Sequence, residues 1–173
     1  MSSNWERNYK FGGKWEDEVE KYLKSKGYSA IYCEPNPEYD NRQVIVVGQK
    51  DYCHPDFTVG IKENGIFFKK LLVEVKSFTQ FYQNRGLANP WEFPQNEIFA
   101  TVEAFKFHDY QFVADYLDME TRIIFVSEQS PGVWYWDKLD NLKKTAKYAE
   151  GIYGKREKQF YLWNIENLKT IKC

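Results

Sequence analysis

Pro55–Ser77 reads PDFTVGIKENGIFFKKLLVEVKS, two apolar runs joined by Lys62-Glu63-Asn64-Gly65. An Asn-Gly pair between such runs is a strong hairpin signal. The stretch therefore predicts strands over Phe57–Ile61 and Ile66–Ser77. Glu74 and Lys76 are two apart on the second strand and leave from one face, while Val73 and Val75 leave from the other. As a salt pair on an exposed sheet, Glu74 and Lys76 would contribute under about 1 kcal/mol. Set inside the run Leu71–Val75, the same two charges are costly to bury without partners. The pair therefore reads as functional.

Asp56 belongs to the same unit only on one condition. A two-residue Asn64-Gly65 turn pairs Glu63 with Ile66, and counting back sets Asp56 opposite Val73. Directly opposed residues share a face, so Asp56 would miss Glu74 and Lys76. An odd-numbered loop or a β-bulge between Asp56 and Glu74 is thus predicted.

Upstream, apolar Trp15, Val19, Tyr22 and Leu23 recur at helical spacing and predict a helix over Lys14–Lys26, preceded by Gly12-Gly13 and stopped by Gly27. Tyr28–Cys33 reads as a strand, 34–43 as a turn-rich loop and Val44–Gly48 as another apolar run. Downstream, 78–96 lacks periodicity, and a loop of that length is usually functional or mobile. A helix is predicted over Glu97–Leu117, with Ile98, Val102, Phe105, Phe112 and Tyr116 on one stripe. On the same helix, Glu103, Lys106 and Tyr110 form a second stripe able to face the site. Strands follow at Arg122–Ser127, Val133–Trp136 and Phe160–Trp163, with a helix over 138–149 and a short element over Ile165–Ile171. This order describes one α/β domain over 1–173, a central mixed β-sheet flanked by helices. The informative motifs lie in 12–77 and a basic portion in 138–173.

Composition narrows the class. With 24 Lys+Arg against 25 Asp+Glu, the net charge of −1 excludes nucleic-acid binding through bulk positive charge. Aromatics reach 18%, read first as a ring-packed core. Three cysteines, Cys33, Cys53 and Cys173, form no disulfide framework, which fits a reducing, intracellular setting. No signal-peptide core opens the sequence, and Val44–Val47, Leu71–Val73 and Ile123–Val126 are far too short to span a membrane. His54 and His108 with Cys33 and Cys53 match no zinc spacing.

Asp56, Glu74 and a helical glutamate around Lys76 would carry three negative charges against one positive. Such a cluster persists only by binding a cation or taking up protons. All-oxygen donors suit Mg²⁺ or Mn²⁺ over Zn²⁺. A lysine beside a ligand carboxylate can position or deprotonate an attacking water.

On Pro55-Asp56, then Glu74-Val75-Lys76, the sequence resembles the PD-(D/E)xK nuclease superfamily, with FGGKWEDEVEKYLKSKGY as the preceding glutamate-bearing helix. Its Holliday junction resolvase-like members phase the glutamate as Glu16 stands here, with Val19 and Leu23 three and seven residues on. Glu18 and Glu20 are weaker alternatives. The resemblance implies a restriction-endonuclease-like fold and a DNA endonuclease leaving 5′-phosphate ends. By that resemblance Asp56, Glu74 and the Val75 carbonyl are metal ligands, Glu16 binds metal directly or through water, and Lys76 positions the water. A homodimer and a viral or phage source are both compatible with it. RNA as substrate, or a non-catalytic nucleic-acid-binding or assembly protein keeping the fold, are the alternatives.

Residues 138–158 hold seven Lys/Arg against three acids. Lys143, Lys144, Lys147, Lys155 and Arg156, with Lys69, Lys70 and Arg85, are the candidate phosphate-tracking residues. A solvated helix and loop is the equal alternative.

Overall fold

The computed structural model describes residues 4–34, 43–63, 66–78, 81–83, 97–153 and 156–173. Most of the expected loops at 34–43 and 78–96 lie outside them. Three helices are described: α1 (Asn4–Ser25), α2 (Ala104–Leu117) and α3 (Leu139–Thr145). The strands are β1 (Tyr28–Tyr32), β2 (Val44–Val47), β3 (Lys50–Cys53), β4 (Phe57–Glu63), β5 (Ile66–Phe78), β6 (Tyr82–Gln83), β7 (Ile98–Glu103), β8 (Glu120–Ser127), β9 (Val133–Lys138), β10 (Lys147–Tyr153), β11 (Arg156–Asn164) and β12 (Lys169–Lys172).

A six-stranded sheet runs β1-β4-β5-β8-β9-β12. It is mixed: β5 and β8 pair in parallel, and its other pairs are antiparallel. Beside it stand a four-stranded antiparallel sheet, β10-β11-β7-β6, and the hairpin β2-β3. Pleating sends alternate residues of β5 to opposite layers. Leu71, Val73 and Val75 join Trp15, Val19 and Leu23 of α1 in one core, which also takes Phe57 and Val59 from β4 and Ile124 and Val126 from β8. Ile123 and Phe125 leave the other face and pack with Phe107 and Tyr110 of α2, Leu139 and Leu142 of α3, and Trp163 of β11. Rings fill this second core, with Phe107 and Phe125 both set against Trp163. Fully burying one such side chain is worth about 1.5–3 kcal/mol, which is how these faces hold the helices down.

Three expectations change. The first helix starts at Asn4 instead of Lys14 and runs through Gly12-Gly13. Burial of Trp15, Val19 and Leu23 outweighs the poor helix propensity of two glycines. Gly27, at φ 82°, ends it as expected. A Cβ at Gly13 would meet nothing within 4 Å. Gly13→Ala is therefore expected to raise stability by about 0.5–1 kcal/mol, read as a higher urea midpoint.

Second, the predicted helix 97–117 is a strand followed by a helix. Ile98–Glu103 is β7, and its Phe99–Glu103 pairs with β11, Asn164 opposite Phe99 through Phe160 opposite Glu103. The α2 stripe is also phased differently: Phe107, Tyr110 and Val113 are buried, while Phe105 and Tyr116 are more than half exposed. Third, the expected helix 138–149 ends at Thr145, and Lys147 opens β10. The three cysteines are free. Among the described residues no helix is long and apolar enough to cross a membrane.

Candidate active site

The predicted irregularity is present in the β4–β5 hairpin. Ile61 pairs with Lys69 but Lys62 pairs with Phe67, so one extra residue, Phe68, is accommodated in β5. The shift sets Phe57 opposite Val73. Both belong to the α1-side core, so Asp56, one residue earlier, faces the other way, with Glu74 and Lys76. The Val75 N–H donates to Asp56 Oδ2 at 2.7 Å, fixing the carboxylate against β5.

Glu74 and Lys76 are in direct contact, and the Tyr110 hydroxyl joins them from α2. That hydroxyl donates to Glu74 Oε1 at 2.6 Å and accepts from Lys76 Nζ at 3.0 Å. β5 is covered on both faces here, and no residue from Leu71 to Val75 exceeds 7% exposure. A carboxylate at such a place needs every partner it has. Even so, Glu74 Oε2 is buried without a hydrogen-bond partner.

The charges act on one another. Burial, then the charges of Glu74 and Glu16, hold the Asp56 carboxyl well above the usual carboxylate range. Burial opposes a charge on Lys76, but Glu74 and Asp56 outweigh it and raise the amine, which stays an ammonium. Burial, then the Glu74 and Asp56 charges, push the Tyr110 hydroxyl well up. Glu16 stands on α1 with Gly12 and Ser77 nearby. Its carboxyl is raised mainly by burial and then by Glu74, against a hydrogen bond from Tyr32. Glu16 thus lies within electrostatic reach of the Asp56–Glu74 pair, with Tyr32 as its own partner.

Among the described residues no three His, Cys, Asp or Glu side chains converge tightly enough to form a ready-made metal cage. Two features nonetheless fit a hard divalent cation. The donors are oxygens, and Glu74 Oε2 is a buried acceptor left open.

The expected phosphate-tracking residues whose side chains are described lie on β5, α3 and β10. Lys70 is exposed on β5 and by alternation shares the Lys76 face, about 20 Å along the strand. Lys143 and Lys144 are exposed at the end of α3. Lys147 lies 3.8 Å from Glu97 and over the Phe99 ring. Arg85 and Lys155 lie outside the described residues, as do the side chains of Lys69 and Arg156. His54 binds the Pro55 carbonyl and His108 the Tyr161 hydroxyl, on different elements.

Tyr110 is the residue that spacing around the motif does not reveal. Only its shared stripe with Glu103 and Lys106 pointed toward the site. Tyr110→Phe is expected to cost about 1–2 kcal/mol of stability, because Glu74 loses a buried donor. A chemical melt of the variant beside the wild type checks this.

The central mixed sheet with helices on either side is the resolvase or restriction-endonuclease-like fold. The chain is similar in structure to Hjc, a Holliday junction resolvase from the archaeal hyperthermophile Archaeoglobus fulgidus, with a TM-score of 0.52 and 15% identity over 92% of this chain and 91% of that one. A nuclease from a fusselovirus is similar at a TM-score of 0.45 and 12% identity, over 98% of this chain and 88% of that chain. No family model and no curated protein matches the sequence.

Proposed function

We propose that the protein is a divalent-metal-dependent endonuclease that hydrolyses phosphodiester bonds of DNA. The observation that carries the reading is the meeting of Asp56, Glu74, Lys76 and Tyr110 on one buried sheet face. The resolvase fold and the sequence motif support it. Asp56, Glu74 and the Val75 carbonyl would hold Mg²⁺ or Mn²⁺, with Glu16 directly or through water. When bound, the ion supplies charge neutralisation and Lewis acidity at the phosphodiester.

The chain's own residues do the rest. The Val75 N–H aims Asp56, and Tyr110 holds Glu74 by Oε1, leaving Oε2 as the ligand atom. Lys76, a charged donor, orients the attacking water for in-line approach to phosphorus and cannot serve as a base while protonated. The buried floor of the site strengthens each of these interactions. A 5′-phosphate and a 3′-hydroxyl are the expected ends.

The test offers plasmid DNA, a four-way junction, a single strand and RNA with Mg²⁺, Mn²⁺ or EDTA. DNA cleavage that EDTA stops is the expected result. Salt-sensitive binding without cleavage under any metal would replace the enzyme by a binding or assembly protein. Cleavage confined to RNA would correct the substrate. Manganese lodged between Asp56 and Glu74 in soaked crystals would identify the ligands directly.

A further inference from the structure

Glu103 closes β7 at the point where α2 begins, yet its side chain makes no capping hydrogen bond to the helix. Its two oxygens are instead divided between two lysines. Lys158 of β11 contacts Oε1 directly, and Lys106 of α2 lies 3.9 Å from Oε2. The antiparallel pairing of Phe160 with Glu103 is what carries β11, and with it Lys158, to this junction. Lys106 precedes Tyr110 by one helical turn, so both side chains rise from the same face of α2. Tyr110 in turn touches Lys76 and Glu74. Lys106 therefore stands beside the motif at the N-terminal turn of α2, and Glu103 links it to Lys158.

We propose that Lys106 and Lys158, tethered to Glu103, form the subsite that receives a backbone phosphate of the nucleic acid. This rests on the nuclease reading above. Lys106 and Lys158 bring two ammonium groups to the one Glu103 carboxylate. Both lysine side chains are more than a third exposed, at 36% and 39%, and a phosphate can reach them from solvent. At 3.9 Å the Lys106 ammonium is beyond hydrogen-bond length from Glu103, and it gains by exchanging that pair for a phosphate oxygen. The charge of Lys76, and then burial, lower the Lys106 amine, which marks how near it stands to the motif lysine. An anion between them relieves that repulsion. Glu103 acts as the stand-in for the phosphate: it holds the two lysines in place and competes with the substrate.

This arrangement gives the two halves of the cluster opposite signs. Binding of a short fluorescein-labelled duplex is followed by anisotropy in EDTA across a sodium chloride titration. Lys106→Gln is expected to weaken binding about 5-fold and to lower the slope of log affinity against log salt by about 1. Lys106→Arg restores both. Glu103→Gln is expected to tighten binding about 3-fold, since the competing charge is gone. In cleavage assays with Mg²⁺, Lys106→Gln raises KM more than it lowers kcat. The subsite is overturned if Lys106→Gln leaves affinity and slope unchanged, or if Glu103→Gln weakens binding as the lysine variant does, which marks a merely structural ion pair. If the wild type cleaves and binds while the variants match it, only the subsite falls. If the wild type shows no salt-dependent DNA binding at all, the nuclease reading falls with it.

Discussion

Lys76→Ala is expected to slow DNA cleavage by about 10²–10³-fold, the usual loss when one fixed donor aimed at the reacting atoms is removed. It is also expected to destabilise the metal-free protein at neutral pH. Glu74 is 3% exposed, and its charged partner is Lys76. Removing one member of a buried ion pair costs about 3–5 kcal/mol, because the other charge is left uncompensated. The Tyr110 hydroxyl still donates to Glu74 and softens the loss. Thermal melts should show the variant folded but weaker, and Mn²⁺ should recover part of the difference by supplying the missing positive charge. Turnover at the wild-type rate in a folded variant would remove Lys76 from the chemistry.

Asp56→Asn has a second large effect, with stability moving the other way. The Asp56 carboxyl sits well above its ordinary value of 3.8, through burial first and the charges of Glu74 and Glu16 next. The folded state thus keeps its proton at pH values where the unfolded chain has lost it. The stability this gives is whole below about pH 4 and drains away as pH rises through the folded value. Asparagine carries no such penalty, and its side-chain oxygen can still accept from the Val75 N–H. The metal-free variant is expected to melt about 3–6 °C above the wild type at neutral pH, the gap closing toward pH 4. Cleavage should fall at least about 100-fold, and Mn²⁺ should raise the melting point of the wild type only. A variant less stable than the wild type at neutral pH would show that Asp56 is held as a contented structural acceptor.

The motif strand was legible because its signals are local. An apolar run carrying two charges, an Asn-Gly turn and a parity mismatch together required the bulge at Phe68. The helix that bears Glu16 was legible from Trp15, Val19 and Leu23, though its start was not. Propensity argues against Gly12-Gly13 in a helix, and only the packed face overrules it. The misreading of 97–103 has a different source. Ile98 and Val102 suit a helical stripe as well as a strand, and the deciding partner, β11, lies about 60 residues downstream. The contribution of Tyr110 is likewise non-local: nothing in its neighbours announces that its hydroxyl will meet Glu74. The basic portion predicted a surface by charge count alone, and charge count cannot tell which lysines flank the site.

The bulge has a consequence for how this hairpin can change. Between the turn and the level of Phe57 and Val73, six residues of β4 (58–63) run against seven of β5 (66–72). Deleting one from the longer arm, or adding one to the shorter, makes the arms equal and keeps Asp56 on its present side. Either edit smooths the ladder without turning the carboxylate away. The tip thus acts as a slack adjuster, free to lengthen or shorten by a single step while the chemistry at its base stays in line.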